Sequence, residues 1–243
     1  MISHQHRCIF VHQRKSAGTS VKALFADAVG ADRGRFNEGV LDPEWRRDAP
    51  PVSEYLKFTV VRNPWDRFVS GWKYCASTRD RPIGDVLANL PRPRLIENVL
   101  APGASGMARR AYARELWRRR VAQAKFALRA VGPARWGRRV LDEGHDYRHL
   151  TRQQVESLVY PDGSLAVDRV IFFEALEEGL EALARDLGLP LAAVPRLKGR
   201  REGDDYRRHF DTEARALFDA AFARDIAMWG YDFDSGLPAA LRQ

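Results

Sequence analysis

The chain has 243 residues, 45% of them hydrophobic, and a formal net charge of +8. That length suits one sizeable α/β domain, or a core with an elaboration, and the composition excludes disordered and fibrous classes. No apolar run approaches the roughly 20 residues of a membrane-spanning helix, and the two cysteines, Cys8 and Cys75, have no spacing that implies a disulfide framework or a zinc site. Residues Met1 to Arg7 lead directly into an apolar run, so neither leader nor membrane anchor is expected, and a reducing, cytoplasmic location is the simplest expectation. His4 and His6 precede that run and are expected to be solvated.

Cys8-Ile9-Phe10-Val11 is a predicted buried strand, short, apolar and bounded by charge and His. Val21, Leu24, Phe25 and Ala28 then recur at i, i+3, i+4 and i+7, one face of an amphipathic helix. Between them lies Arg14-Lys15-Ser16-Ala17-Gly18-Thr19-Ser20. A strand-to-helix loop presents free N–H groups and the positive end of a helix dipole, which suits an anion. Gly18 is expected to let the backbone approach that anion, and Thr19 and Ser20 to add hydroxyl donors. The plainer alternative is a glycine-containing turn capped by Ser and Thr. The nucleotide-hydrolase pattern G-x-x-x-x-G-K-[ST] is not met, because Lys15 precedes Gly18 and no Gly stands upstream in its place.

Leu56 to Val61 is a second predicted strand, followed by Arg62-Asn63-Pro64-Trp65-Asp66-Arg67-Phe68-Val69-Ser70. Pro64 fits the first turn of a helix whose apolar face is Trp65, Phe68, Val69 and Trp72. Arg62 then stands at the strand's carboxyl end, where ligands bind in open α/β sheets, with Ser70 about two turns further. From Ser105 to Arg152 there are 13 Arg or Lys against 4 Asp or Glu, so the whole basic excess of the chain is concentrated there. The spacing of Tyr112, Leu116, Val121, Ala124, Leu128 and Val131 predicts a long helix from Ala108 to Val131, ended by Gly132-Pro133. Its arginines include Arg118, Arg119 and Arg120. Such a face is solvated, or it meets nucleic acid, a membrane surface or an acidic substrate. Val167 to Phe173 is a third strand ending at Glu174, which is expected to cap the next helix, marked by Leu176, Leu180, Leu183 and Leu187 and stopped by Gly188 and Pro190. Pro195 to Asp205 is loop-like, and Asp211 caps a last helix that runs to Gly230.

Phe10, His12, Lys15, Ala17, Gly18, Thr19 and Ser20 match the loop F-x-H-x-P-K-T-A-G-T-S, and R-N-P-x-x-R-x-x-S matches Arg62 to Ser70. In these strings the chain resembles the sulfotransferase family, in its carbohydrate branch and in the style of bacterial members. Arg14 replaces the usual Pro of the loop and Ser16 the usual Thr. His149-Leu150-Thr151-Arg152-Gln153 is similar to the family's H-x-R-P-Q segment, with Thr151 and Arg152 in place of Arg and Pro. Phe173-Glu174-Ala175-Leu176 resembles R-F-E-x-L, and Asp225 with Trp229-Gly230-Tyr231 resembles a closing D-x-x-x-[FW]-G-Y.

The resemblance implies an α/β, three-layer fold like that of P-loop nucleotide hydrolases, with a central parallel sheet flanked by helices. It implies a single domain over residues 1–243 with a basic helical insertion at about 77–150. It further implies transfer of a sulfuryl group from 3′-phosphoadenosine 5′-phosphosulfate to a hydroxyl or amino group of a carbohydrate acceptor. Arg14 to Ser20 would hold the 5′-phosphosulfate, and Arg62 and Ser70 the 3′-phosphate, a guanidinium fork suiting phosphate geometry. Lys15 is the expected cation for the leaving oxygen and no metal is expected. For the base, His149 comes first and His145 second, with His12 or a carboxylate in reserve. Arg118, Arg119 and Arg120 are expected to hold an anionic acceptor, a poly- or oligosaccharide, and Lys198, Arg200 and Arg201 to lie near the donor. Nucleic acid is not an expected partner and peripheral contact with a membrane surface stays open. Two rivals are a P-loop kinase and a basic nucleic-acid-binding protein without turnover.

Overall fold

The computed structural model describes residues 2–24, 54–90, 146–160, 163–190 and 205–242. Period-two alternation along three short apolar runs decides the architecture. Strand β2 (Cys8–Val11) pairs in parallel with β3 (Leu56–Val61), placing Phe10 beside Phe58, and β3 pairs in parallel with β4 (Arg169–Phe172), placing Val60 beside Ile171. One face of this sheet carries Cys8, Phe10, Phe58, Val60 and Ile171. They pack on Val21 of helix α1 (Gly18–Leu24) and on Leu176, Leu180, Leu183 and Ala184 of α4 (Leu176–Asp186). The other face carries Ile9, Val11 and Val61, which join Trp65, Phe68 and Val69 of helix α2 (Pro64–Tyr74). Phe218 of α5 (Thr212–Ala221) and Trp229 of α6 (Ala223–Trp229) complete that side. Helices therefore cover both faces of a small α/β sheet, as patterned strands buried on both sides require. Thr59 is the one polar residue inside β2 and β3 that is fully buried, and its hydroxyl donates to the carbonyl of Val11 at 2.8 Å.

Local signals account for the element ends. The Asn63 side chain accepts from the N–H of Asp66 at 3.0 Å and Pro64 follows as first helical residue, so α2 starts where the strand stops. Asp211 caps α5 by accepting from Ala214 N–H at 2.8 Å, and α6 closes on Gly230 at φ 59°. The last helix expected from sequence is thus two helices, broken at Phe222, whose ring is fully buried against Phe218. Two elements were unforeseen. Ile2–Ser3 forms β1, antiparallel to β2, and α3 (Ile83–Ala88) buries Ile83, Val86 and Leu87. Because β1 folds back, His4 is half-buried with its Nδ1 3.0 Å from the Tyr55 hydroxyl, which corrects the expectation that it is solvated. The predicted helix from Ala108 to Val131 lies outside the described residues. Of the insertion expected at about 77–150, only residues 77–90 and 146–150 fall within them. No helix among the described residues is long and apolar enough to cross a membrane.

One buried charge pair ties the C-terminal helices to the sheet. Asp225, fully buried on α6, accepts from the N–H groups of Gln154 and Val155 at 2.8 and 2.9 Å. Its carboxylate lies 4.0 Å from Nη2 of Arg67, a buried α2 residue that also donates to the carbonyl of Arg152 at 2.7 Å. Removing one member of such a pair strands a desolvated charge. Asp225→Ala is therefore expected to destabilise the fold by about 3–5 kcal/mol in urea unfolding, far more than loss of the exposed Arg7–Glu54 pair.

Candidate active site

The loop after β2 owes its shape to two strained positions. Lys15 and Ala17 both take left-handed backbone angles, φ 66° and 56°. Non-glycine residues adopt these only where the surroundings impose them. Gly18 is also required on steric grounds. It is not in the left-handed region; a Cβ there would stand 2.0 Å from Nε2 of His12. The glycine makes room for a histidine ring, which in turn packs 5.7 Å from Phe10. Thr19 is exposed, while Arg14, Lys15, Ala17 and Ser20 are half-buried, so these are the side chains that the loop offers outward. Ser16 is not among them. It is fully buried, its N–H faces the Gln13 carbonyl at 3.3 Å and its hydroxyl donates to Oε1 of Gln154 at 3.2 Å. Ser16, expected among the donor contacts, here fastens the loop from inside with its side chain fully buried.

The turn after β3 is held by the same glutamine. Gln154 Oε1 accepts from Arg62 N–H at 2.9 Å and its Nε2 donates to the Arg62 carbonyl at 2.9 Å. Two strand-to-helix turns, at the ends of the neighbouring strands β2 and β3, are thereby locked together by one buried carboxamide. Arg62 adds a second link. Its Nη1 donates to the Lys15 carbonyl at 3.0 Å, Nε and Nη2 hold Asp66 at 3.1 and 2.9 Å, and its guanidinium lies 4.4 Å above the Phe173 ring. Asp66 so aims the guanidinium fork back across the loop. Ser70 is half-buried on α2, at i+8 from Arg62 and i+4 from Asp66, on the same helix face. Glu174 proves to be a turn-holder, not the helix cap expected: one carboxylate oxygen accepts from Asn63 N–H at 2.7 Å and the other from the Tyr231 hydroxyl at 2.9 Å. Burial pushes the Glu174 carboxyl up from its ordinary range, and Tyr231, buried beside that carboxylate, is pushed up as well.

Lys15 and His149 meet on one aromatic ring. The Lys15 ammonium lies 4.1 Å from the centre of the Tyr74 ring, at the end of α2, and the buried His149 imidazole packs 4.9 Å from the same ring. His149 belongs to a π-helical turn, Tyr147–Thr151, that rests on α2 at Gly71, where a Cβ would come within 2.3 Å of the His149 carbonyl oxygen. Burial, and then the charge of Arg62, hold the Lys15 amine below its usual pKa of 10.5. An ammonium with a lowered pKa in such a strand-to-helix loop can stabilise developing negative charge and give up or share a proton. Among the described residues no three His, Cys, Asp or Glu side chains gather as a metal site.

His145, Arg118, Arg119, Arg120, Lys198, Arg200 and Arg201 lie outside the described residues. Sequence reasoning missed Gln154, Tyr74 and the work of Arg67. Arg67 was visible as the second arginine of R-N-P-x-x-R-x-x-S, whereas Tyr74 and Gln154 had no local signal, because each acts on a partner far along the chain.

Residues 1–232 match the family model described as the sulfotransferase family, and the chain belongs to that family. It is accordingly a sulfotransferase, an enzyme with an acceptor substrate. No curated protein and no solved structure matches the chain.

Gln154→Ala removes the carboxamide contacts to Ser16 and to both backbone groups of Arg62, leaving those buried groups unsatisfied. The expected cost is about 2–4 kcal/mol by thermal or urea unfolding, with a larger fractional loss of activity than of folded protein at 25 °C. A variant as stable and active as the parent would show that the two turns hold their positions without it.

Proposed function

We propose that this sulfotransferase moves the sulfuryl group of 3′-phosphoadenosine 5′-phosphosulfate to a hydroxyl or amino group of a carbohydrate, an acidic poly- or oligosaccharide. The observation that carries this reading is the bond from Arg62 to the Lys15 carbonyl, which supports taking the two phosphate-type motifs as parts of one site. Lys15, Ala17, Gly18, Thr19 and Ser20 would receive the 5′-phosphosulfate in the loop, and Arg62 with Ser70 the 3′-phosphate along α2. Arg14 flanks the loop's entry. The arrangement of helices on both faces of a parallel sheet supports a P-loop-type frame over the whole chain as one domain. Cys8 and Cys75 are both buried outside any disulfide, which supports a reducing compartment such as the cytoplasm.

The acceptor oxygen forms its bond to sulfur as the bond from sulfur to the bridging phosphate oxygen breaks. The hydroxyl proton passes to the acceptor-side base, His149 in this reading, and the leaving group departs as the 3′,5′-bisphosphate. Lys15 offsets charge on the bridging oxygen. His145 is the second candidate for the base. Arg118, Arg119 and Arg120 belong to the basic stretch that would steer an anionic chain toward the site.

Two measurements test the donor reading. 3′,5′-ADP is expected to raise the melting temperature without added metal, and 5′-AMP to do so markedly less, with the difference abolished in Arg62→Ala. Equal shifts by both nucleotides in the parent enzyme would remove Arg62 and Ser70 from a 3′-phosphate site.

The lowered pKa of Lys15 sets a direction for pH dependence. The protonated amine is the useful form, so kcat/KM for the donor is expected to fall as pH rises through a value below 10.5. Lys15→Arg keeps a charge that does not titrate in that range, so its alkaline limb is expected to vanish or move upward. An unchanged limb would assign it to another group.

A further inference from the structure

Every polar group of Asn63, the residue after Arg62, is occupied. Within α2, Oδ1 accepts from Asp66 N–H at 3.0 Å and the carbonyl from Arg67 N–H at 2.9 Å. The rest are taken by residues far along the chain. The backbone N–H donates to Glu174 at 2.7 Å, and Nδ2 to the Tyr206 hydroxyl at 3.3 Å and the Gly236 carbonyl at 3.1 Å. Glu174, on the short turn that joins β4 to α4, stands at the centre of this clasp. Its second oxygen accepts from the hydroxyl of the buried Tyr231 at 2.9 Å. Both partners present hydrogen, so both oxygens must accept, which is the work of an ionised carboxylate. Protonation would turn one of the two acceptors into a donor. Arg62 is the side chain that this clasp places. Its backbone adjoins Asn63, and its guanidinium lies 4.4 Å from the ring of Phe173, the neighbour of Glu174. Neither Glu174 nor Tyr231 has a part in the sulfuryl transfer described above.

We propose that Glu174 and Tyr231 are positioning residues for the donor's 3′-phosphate: the Tyr231 hydroxyl keeps Glu174 an acceptor, Glu174 fixes the Asn63 N–H, and the adjoining Arg62 is held where its fork meets the phosphate. The inference rests on the donor site proposed above. It adds a condition to that site, since selectivity for the 3′-phosphate then depends on a carboxylate and a phenol that hold the turn and not the nucleotide. A fork must be set within a narrow range of angles to engage a phosphate bidentately, so a small rotation at Asn63 is felt at Arg62.

The condition carries a pH dependence. Burial raises the Glu174 carboxyl from its ordinary value, against the bonds from Asn63 N–H and Tyr231 and the charge of Arg62. Burial, then Glu174 and Asp225, push the Tyr231 phenol up, with Arg62 opposing, so it stays a donor at working pH. Among the described residues, Arg62 of the turn after β3 and Asp225 of α6 are the charged groups that bear on the pair. The ionised form of Glu174 is the competent one. The 3′-phosphate preference is therefore present above its folded pKa and lost as pH falls through it. Removing the Tyr231 hydroxyl takes away a bond that favours the carboxylate, which moves this loss to higher pH.

The test measures Kd for 3′,5′-ADP and for 5′-AMP by calorimetry across a pH series in the parent, Tyr231→Phe and Glu174→Gln, with folding checked by urea unfolding. At neutral pH each variant is expected to weaken 3′,5′-ADP by about fivefold or more and to leave 5′-AMP within about twofold. In the parent the preference for 3′,5′-ADP is expected to shrink with acid, and in Tyr231→Phe to shrink at a higher pH. In Glu174→Gln, which cannot ionise, it follows only the titration of the nucleotide's own phosphates. That titration is common to all three proteins, so the differences between them report Glu174. The glutamine keeps the size of the side chain and serves if the phenylalanine variant unfolds. Equal weakening of both nucleotides, an unchanged preference in the folded variants, or an acid limb at the same pH in all three proteins overturns the positioning role. Equal binding of both nucleotides to the parent is a different failure: the 3′-phosphate site itself falls, and the positioning role with it.

Discussion

The site depends on a single buried carboxamide. Gln154 is fully buried, yet it satisfies the polar groups of two different turns at once: the Ser16 hydroxyl on one side, and both backbone groups of Arg62 on the other. Amide groups suit this because they donate and accept in fixed directions, and in a dry interior each unmade bond is costly. Its own backbone N–H is held by Asp225, which in turn leans on Arg67. Phosphate-type loops ordinarily reach their left-handed positions with glycine, which adopts them without strain. Here, with non-glycine residues at both left-handed positions, stiffness comes from outside, through a segment more than ninety residues further along the chain.

This arrangement distributes the roles within the site. Side chains that hold geometry are buried, as Ser16, Gln154, Arg67 and Asp225 are, or half-buried, as Glu174 is. Those suited to meet a ligand remain at least partly open: Lys15, Thr19, Ser20, Ser70 and the exposed Tyr74 ring. Arg62 belongs to both groups, since three of its N–H directions are spent on Asp66 and the Lys15 carbonyl. Preorganised donors of this kind lose little entropy when charge develops before them.

Much of the frame was legible in the sequence because it is local. The strands at Cys8–Val11 and Leu56–Val61 agree with their apolar runs, and helices α2, α4 and α5 begin at their expected residues. Pro64, Gly188 and Asp211 work through their immediate neighbours, so their meaning survives in one dimension. The misses share the opposite property. β1 is two residues long and exists only through its pairing with β2, which no periodicity announces. The break at Phe222, a fully buried position, interrupts an otherwise continuous helical pattern that carries no Gly or Pro to announce it. Of the candidate site, Lys15, Arg62 and His149 were found by motif and do come together, but the ring that joins Lys15 to His149 was invisible. The steric need for Gly18 was not legible, because the space it leaves is filled from a residue six positions earlier.

Helix α2 is pinned at both ends, and this has a consequence for how the chain can vary. Its first turn is fixed where Asn63 is held by Glu174 and, through its side chain, by the Gly236 carbonyl at 3.1 Å. Its far end is fixed where Gly71 abuts the His149 backbone. One added residue between these points would advance the far end by about 1.5 Å and swing it by about 100°. Tyr74 would leave Lys15, and a side chain would be driven into the His149 carbonyl in place of Gly71. The stretch from Asn63 to Tyr74 therefore behaves as a gauge of set length, tolerant of exchanges on its surface but not of insertions or deletions. Changes in substrate preference must then arise at the rims, in the loop before α1 and in the chain around the π-helical turn, while the distance between them is left alone.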